Sequence, residues 1–264
     1  MIKERRPVLK NAFLFFLAFA LVIGSCATTN RVNYPDYQLD DEEYQKISLN
    51  KSVYIAPIDQ LSNRIGSFRE VYRTIQSEIE SYMRSNGFNV LPSKEFENSF
   101  TKNLQIVGGF FHQQNGQIDT QLLNKCIKNT ITELKQKYEF SAIVLPYLVF
   151  SPLKLKRPYM QGTWDGVERQ IKTNTVSGMS FSPIQTMSLK LVVLSNDGNW
   201  IFKSQGGIDF IQKVKEVGTT TERRVALAWK ESKDFSIRDI REGIEIAFHP
   251  FIFCPRINNA KKKL

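Results

Sequence analysis

The sequence predicts an α+β fold, an α/β sandwich in which amphipathic helices cover a mixed β-sheet and the second half is rich in hairpins. Three observations carry this. Residues 52–91 run strand, helix, strand. The hydrophobic period changes from three-and-four to two after Pro152. Two Asp-Gly pairs, Asp165-Gly166 and Asp197-Gly198, each separate a pair of alternating runs.

The first strand is read in Ser52–Ile58, a β-branched and aromatic run stopped by Pro57. Apolar residues then recur at Phe68, Val71, Tyr72, Ile75, Ile79, Tyr82 and Met83, the spacing of one helical face, and Asn86-Gly87 supplies a left-handed cap. Phe88–Leu91 follows as a short strand, so the crossover implies a parallel pair. Ser93–Leu104 predicts a second helix, with Phe96, Phe100 and Leu104 four apart and Gly108-Gly109 breaking it. Asp119 caps a third, whose apolar face is Leu122, Leu123, Cys126, Ile127, Thr130, Ile131, Leu134 and Tyr138. It leads into the apolar strand Ala142–Phe150, where Pro146 argues for a bulge or an edge.

In the second half, Asp165-Gly166 joins 159–163 to 167–173, and Asp197-Gly198 joins 187–194 to 200–204. Gly206-Gly207 interrupts the following strand, which resumes at Ile208. Ser236 caps a last amphipathic helix with Asp239 at the capping-box position and Ile237, Ile240, Ile244, Ala247 and Phe248 on one face, and His249-Pro250 ends it.

The N-terminus carries a different kind of signal. Lys3, Arg5, Arg6 and Lys10 form a basic region, Ala12–Ile23 an unbroken apolar one, and Gly24-Ser25 a small-residue pair. The apolar run is shorter than the ~20 residues that cross a bilayer, so 1–25 reads as a cleaved signal peptide. Ile23-Gly24-Ser25-Cys26 resembles the lipobox of bacterial lipoproteins, which implies that Cys26 is acylated and becomes the first residue of the mature chain. Ala27 and Thr28, rather than an acidic residue, follow it, which implies the outer membrane, facing the periplasm. Residues 26–50, poor in apolar side chains, read as a flexible tether of about 25–30 Å mean reach. Residues 51–255 then form one globular domain and 256–264 a basic tail.

The leader holds four of the 36 basic and one of the 26 acidic residues, leaving a mature net charge of +7. In an envelope compartment such a charge suits anionic lipid, lipopolysaccharide or cell-wall polymer, nucleic acid being absent there, although a simple solubility role explains it as well. Beyond Cys26 only Cys126 and Cys254 remain, an even pair that leaves a disulfide open without demanding one.

Chemistry has little material. His112 and His249 stand far apart, and there is no HExxH, no CxxC, no G-x-S-x-G elbow and no phosphate-binding loop, so no metal and no cofactor are expected. A carboxylate pair would suffice for a cell-wall hydrolase, and Asp165 and Glu168 in the Trp164–Arg169 segment are the strongest pair on offer. A β-turn explains that segment better. Trp164 and Arg169 are instead the partner-binding candidates, being the residue types that dominate interface hot spots. Residues 173–183 read as a polar surface loop or as a β-extension that pairs on assembly.

The VYIAPI strand at 53–58, the helix ending in Asn86-Gly87-Phe88, the AIVLP strand at 142–146 and the SLKLVVLSNDGNWIFKS hairpin at 188–204 follow a recognisable order. In that order the chain resembles bacterial envelope lipoproteins with the domain of the curli secretion protein CsgG, the penicillin-binding-protein activator LpoB and the amino-terminal part of TolB. The resemblance spans residues 52 to about 212. It implies a non-enzymatic binding or assembly role with an envelope protein or cell-wall partner, and leaves oligomerisation open.

Overall fold

The computed structural model describes residues 36–58, 68–110, 119–155, 160–171, 183–217 and 224–254. The leader, Cys26, His112, the 173–182 part of the polar loop and the basic tail lie outside these residues. In chain order the elements are β1 (Gln38–Leu39), α1 (Asp41–Leu49), β2 (Ser52–Ile55), α2 (Arg69–Ser85), β3 (Asn89–Val90), α3 (Ser93–Val107), α4 (Thr120–Lys137), β4 (Ala142–Leu153), β5 (Gln161–Trp164), β6 (Val167–Gln170), β7 (Ile184–Ser195), β8 (Trp200–Phe210), β9 (Gln212–Val217), β10 (Arg224–Trp229), a 3₁₀ turn (Ser232–Asp234) and α5 (Ile237–Phe248).

One mixed sheet organises them, in the order β1-β8-β7-β4-β2-β3. β2 pairs parallel with β3 and β4, while β4–β7, β7–β8 and β1–β8 are antiparallel. The expected fold class is therefore the observed one. α2 forms where the apolar spacing placed it, burying Val71, Tyr72, Ile75, Ile79 and Met83. Its end is a glycine cap: Gly87 has φ +82°, and the Phe88 N–H returns to the Met83 carbonyl.

Alternation along the strands fills both faces of the sheet. Val53, Ile55, Ala142, Val144, Leu189, Leu191 and Val193 point to the layer of α2 and α5. Tyr54, Ala56, Ile143 and Leu145 point to α3 and α4, which contribute Phe96, Phe100, Cys126, Ile127, Ile131 and Leu134. Arg241 of α5 clasps Glu78 of α2 through Nε and Nη2 at 2.7 and 3.1 Å. Asp119 caps α4 by accepting from the Gln121 and Leu122 N–H groups.

Pro146 resolves as an edge, with no bulge. The Ala56 N–H donates to the Val144 carbonyl, so even-numbered residues of β4 turn their backbone toward β2 and odd-numbered ones toward β7. Pro146, without an N–H, cannot return the next bond, and the parallel ladder stops at Ile55↔Val144. The β7 ladder runs through without a register shift from Ala142 to Leu153, because Pro146 and Pro152 both fall on the β2 side.

Four expectations are corrected. The 26–50 tether is not unstructured throughout: Gln38–Leu39 adds a strand to β8, Asp40 caps α1 through the Glu42 and Glu43 N–H groups, and Ile47 is 2% exposed in the core. The acidic cluster at 40–43 is thus a helix N-terminus, favourable to the dipole, and Ile47, with Leu39 and Tyr44 packed beside it, docks the segment on the core. Gly206-Gly207 does not interrupt β8, which is continuous across both; the irregularity is a bulge at Ile208, since Met187 faces Asp209 and Ser188 faces Gly207. Ser236 makes no side-chain cap bond, and Ile237 is exposed. Finally, residues 212–229 form the β9–β10 hairpin, which the reading left unassigned.

Candidate functional site

The Trp164–Arg169 segment is a hairpin tip, as its turn residues require. Asp165 (φ +41°) and Gly166 (φ +82°) adopt the left-handed pair of a type I′ turn between β5 and β6. The turn leans on β8 and β7. Gly207 donates its N–H to the Asp165 carbonyl, and the Asp165 carboxylate accepts from Ser188 Oγ at 2.5 Å and Gln205 Nε2 at 2.6 Å. Glu168, two residues past the turn, is exposed. The described contacts of Asp165 are thus structural, and none of them brings Glu168 to a shared groove.

Trp164 and Arg169, the partner-binding candidates, are half-buried and their side chains contact other parts of the molecule. The Trp164 ring lies 5.0 Å from that of Phe210, and a Cβ on Gly207 would stand 2.9 Å from its Nε1. Arg169, with its side chain 13% exposed, donates from Nε to the Ile208 carbonyl that the bulge frees and from Nη1 to the Glu168 carbonyl, and forms an ion pair through Nη1 with Glu242 of α5 at 2.9 Å; Asp239 lies 3.7 Å away. The guanidinium is a staple between hairpin, bulge and helix. A sequence cannot show this, since the bulge that presents the carbonyl is a property of the paired strands.

Glycines make the stapling sterically feasible. A Cβ on Gly206 would lie 2.1 Å from the Gly243 carbonyl of α5, and one on Gly207 2.4 Å from Val167 Cγ2. Gly206-Gly207 is therefore a thin place in the sheet, with a helix against one side and the hairpin against the other.

Two charged clusters escaped the sequence reading. Asp209, 7% exposed, pairs with Lys230 at 2.5 Å and accepts from the Phe210 N–H; burial pushes its carboxyl above the usual aspartate range against the pull of Lys230. Between α3 and α4, Glu133 accepts from Lys137, Lys102, Ser99 and Asn103, and the lysine bonds foremost hold its carboxyl down to about 2. Glu133 and Lys137 are a local pair four apart on α4, but Lys102, Ser99 and Asn103, like Lys230 for Asp209, are partners remote in sequence that no local pattern announces. Cys126 and Cys254 form no disulfide and lie in separate apolar clusters, and burial raises the Cys126 thiol to about 11. Among the described residues no group of His, Cys, Asp and Glu is placed to hold a metal, and no helix is long and apolar enough to cross a membrane.

What the sheet leaves open is the best candidate surface. On the face that carries α3 and α4, those helices cover the rungs at Ile143 and Leu145, and the Asp165 turn covers Ser188. Between them the rungs Tyr147↔Lys190↔Gln205 and Val192↔Lys203 remain half-exposed. On the opposite face Leu189, Leu191 and Val193 are fully buried. Lys190 Nζ lies over the Tyr147 ring, 5.7 Å from its centroid, and Lys203 Nζ over that of Trp200, 5.0 Å away; Trp200 itself is 40% exposed. Neither ammonium has a carboxylate within ion-pair distance among the described residues. The signal was present in the alternation of Ser188–Leu194, where Lys190 breaks an otherwise apolar strand. Compared with family models, curated proteins and solved structures, the chain matches none of them.

Proposed function

We propose that the protein is a lipid-anchored periplasmic lipoprotein of the bacterial outer membrane that binds or assembles envelope components without catalysing a reaction. The observation that carries the binding role is the open strip of sheet, with two lysines lying on aromatic rings and, among the described residues, without carboxylate counter-ions. The anchoring role rests on the basic, apolar and small-residue series before Cys26. A carboxylate-pair hydrolase gains no support, since Asp165 already accepts from Ser188 and Gln205. Crosslinking intact envelopes and recovering the full-length protein tests the reading: a partner captured by the wild type and lost in Lys190→Glu/Lys203→Glu is the expected result. Degradation of peptidoglycan by purified protein, abolished in Asp165→Asn or Glu168→Gln, would replace it with the hydrolase.

A further inference from the structure

We infer that the open strip is a binding site for an anionic glycan, a sugar polymer bearing carboxylate or phosphate groups. Lys190 and Lys203 stand diagonally on adjacent strands of one face, since Lys190 faces Gln205 and Val192 faces Lys203. Diagonal neighbours on a sheet are about 7–8 Å apart at Cα, so two like charges share a small area. Without carboxylate partners among the described residues, they repel each other, and a polyanion removes that cost.

The ammonium groups are also pre-placed. Each rests on an aromatic ring, which restricts a side chain that otherwise has many rotamers and lowers the entropy lost on binding. Gln205, its amide fixed by Asp165 Oδ1, and the Tyr147 ring lie between the helices and the turn. The exposed edge of Trp200 offers an apolar contact of the sort that sugar C–H groups make. From the Val192 rung to the Ser188 rung is four residues, about 13 Å, a length for a chain segment rather than a single ion. The Asp165 carboxylate closes one end and the Lys135–Asp197 ion pair of α4 and the β7–β8 turn stands near the other, which limits the anion to the middle. The choice of a glycan over other polyanions rests on the envelope location proposed above.

The test is calorimetric titration of the full-length protein in detergent with an oligouronide, against a neutral glucose oligomer of the same length. The oligouronide binds, the neutral oligomer does not, and Lys190→Gln/Lys203→Gln weakens binding by about tenfold or more, the worth of a charge-assisted hydrogen bond. Affinity of the wild type falls as salt rises, an independent reading should the double variant melt early. No binding, binding that the double variant and salt leave unchanged, or tighter binding of a single-stranded oligonucleotide or of anionic phospholipid vesicles overturns the inference. Capture of an envelope partner by crosslinking is unaffected by that failure, so the two readings fail separately.

Discussion

At the residue scale, the glycines and the buried charges decide most. Gly206→Ala puts a methyl into the Gly243 carbonyl, and neither backbone can yield without displacing α5 from β8. A loss of about 3 kcal/mol or more in urea unfolding is expected. Ile79→Asp, at a fully buried position, costs a similar amount by burying an unpaired charge; an unchanged melting temperature in either variant contradicts the packing. For Asp209 and Lys230, either single substitution, Asp209→Leu or Lys230→Met, strands a buried charge and costs about 3–5 kcal/mol, whereas the double substitution is better tolerated than either, which a double-mutant cycle measures. The Gly206 and Asp209–Lys230 dependencies lie in no local pattern, whereas the burial of Ile79 follows from the helical spacing of α2. Gly206-Gly207 is visible as a pair in the sequence, but what presses on it from both sides comes from residues 164–167 and 243–247.

At the scale of elements, the α2 face was legible because its seven apolar positions keep helical spacing, and all lie on or beside the core. β5–β6 and β7–β8 were legible because Asp-Gly occupies left-handed turn positions, at Asp165-Gly166 and at Gly198. α1 was not, since nine residues with four charges carry too few apolar side chains to reveal a buried stripe. The α3–α4 pair makes an acid-side prediction. Glu133 titrates at about 2 in the folded protein against an ordinary 4.5, so its contribution is complete above pH 4.5 and is lost as pH falls toward 2. Asp209 works in the opposite direction: with its carboxyl raised, the contribution is present below the ordinary 3.8 and lost as pH rises through the folded value. Glu133→Gln therefore removes a rise in stability with pH from unfolding curves at pH 2–4.5, while Asp209→Asn removes a fall beginning above pH 3.8.

For the whole molecule, residues 36–50 are part of the fold. A chain beginning at Lys51 loses the β1 strand, the Asp40–Ile201 backbone bond and the Ile47 side chain from the core; its melting temperature falls relative to a chain beginning at Asp36, which a plain spacer over 26–50 would not produce. Cys26→Ser is expected to leave unprocessed precursor and to release the protein from the detergent phase; normal processing and retention contradict the anchor. The outline of a sheet between two helical layers could be read from periodicity alone, whereas the open strip depends on which rungs the helices happen to leave bare, a global outcome of packing.

The two prolines of β4 bear on how copies of this protein behave together. A sheet margin offers N–H groups at every second residue, and two of the positions turned toward that margin, 146 and 152, have none. Copies held on a two-dimensional membrane, as the proposed anchor would hold them, meet far more often than in free solution, and an unguarded margin would let one sheet continue into the next as a growing fibre. Proline at both positions denies a second copy its hydrogen bonds along this stretch. Pro146→Val with Pro152→Val is expected to preserve the fold and to raise light scattering and dye-positive aggregation at high concentration.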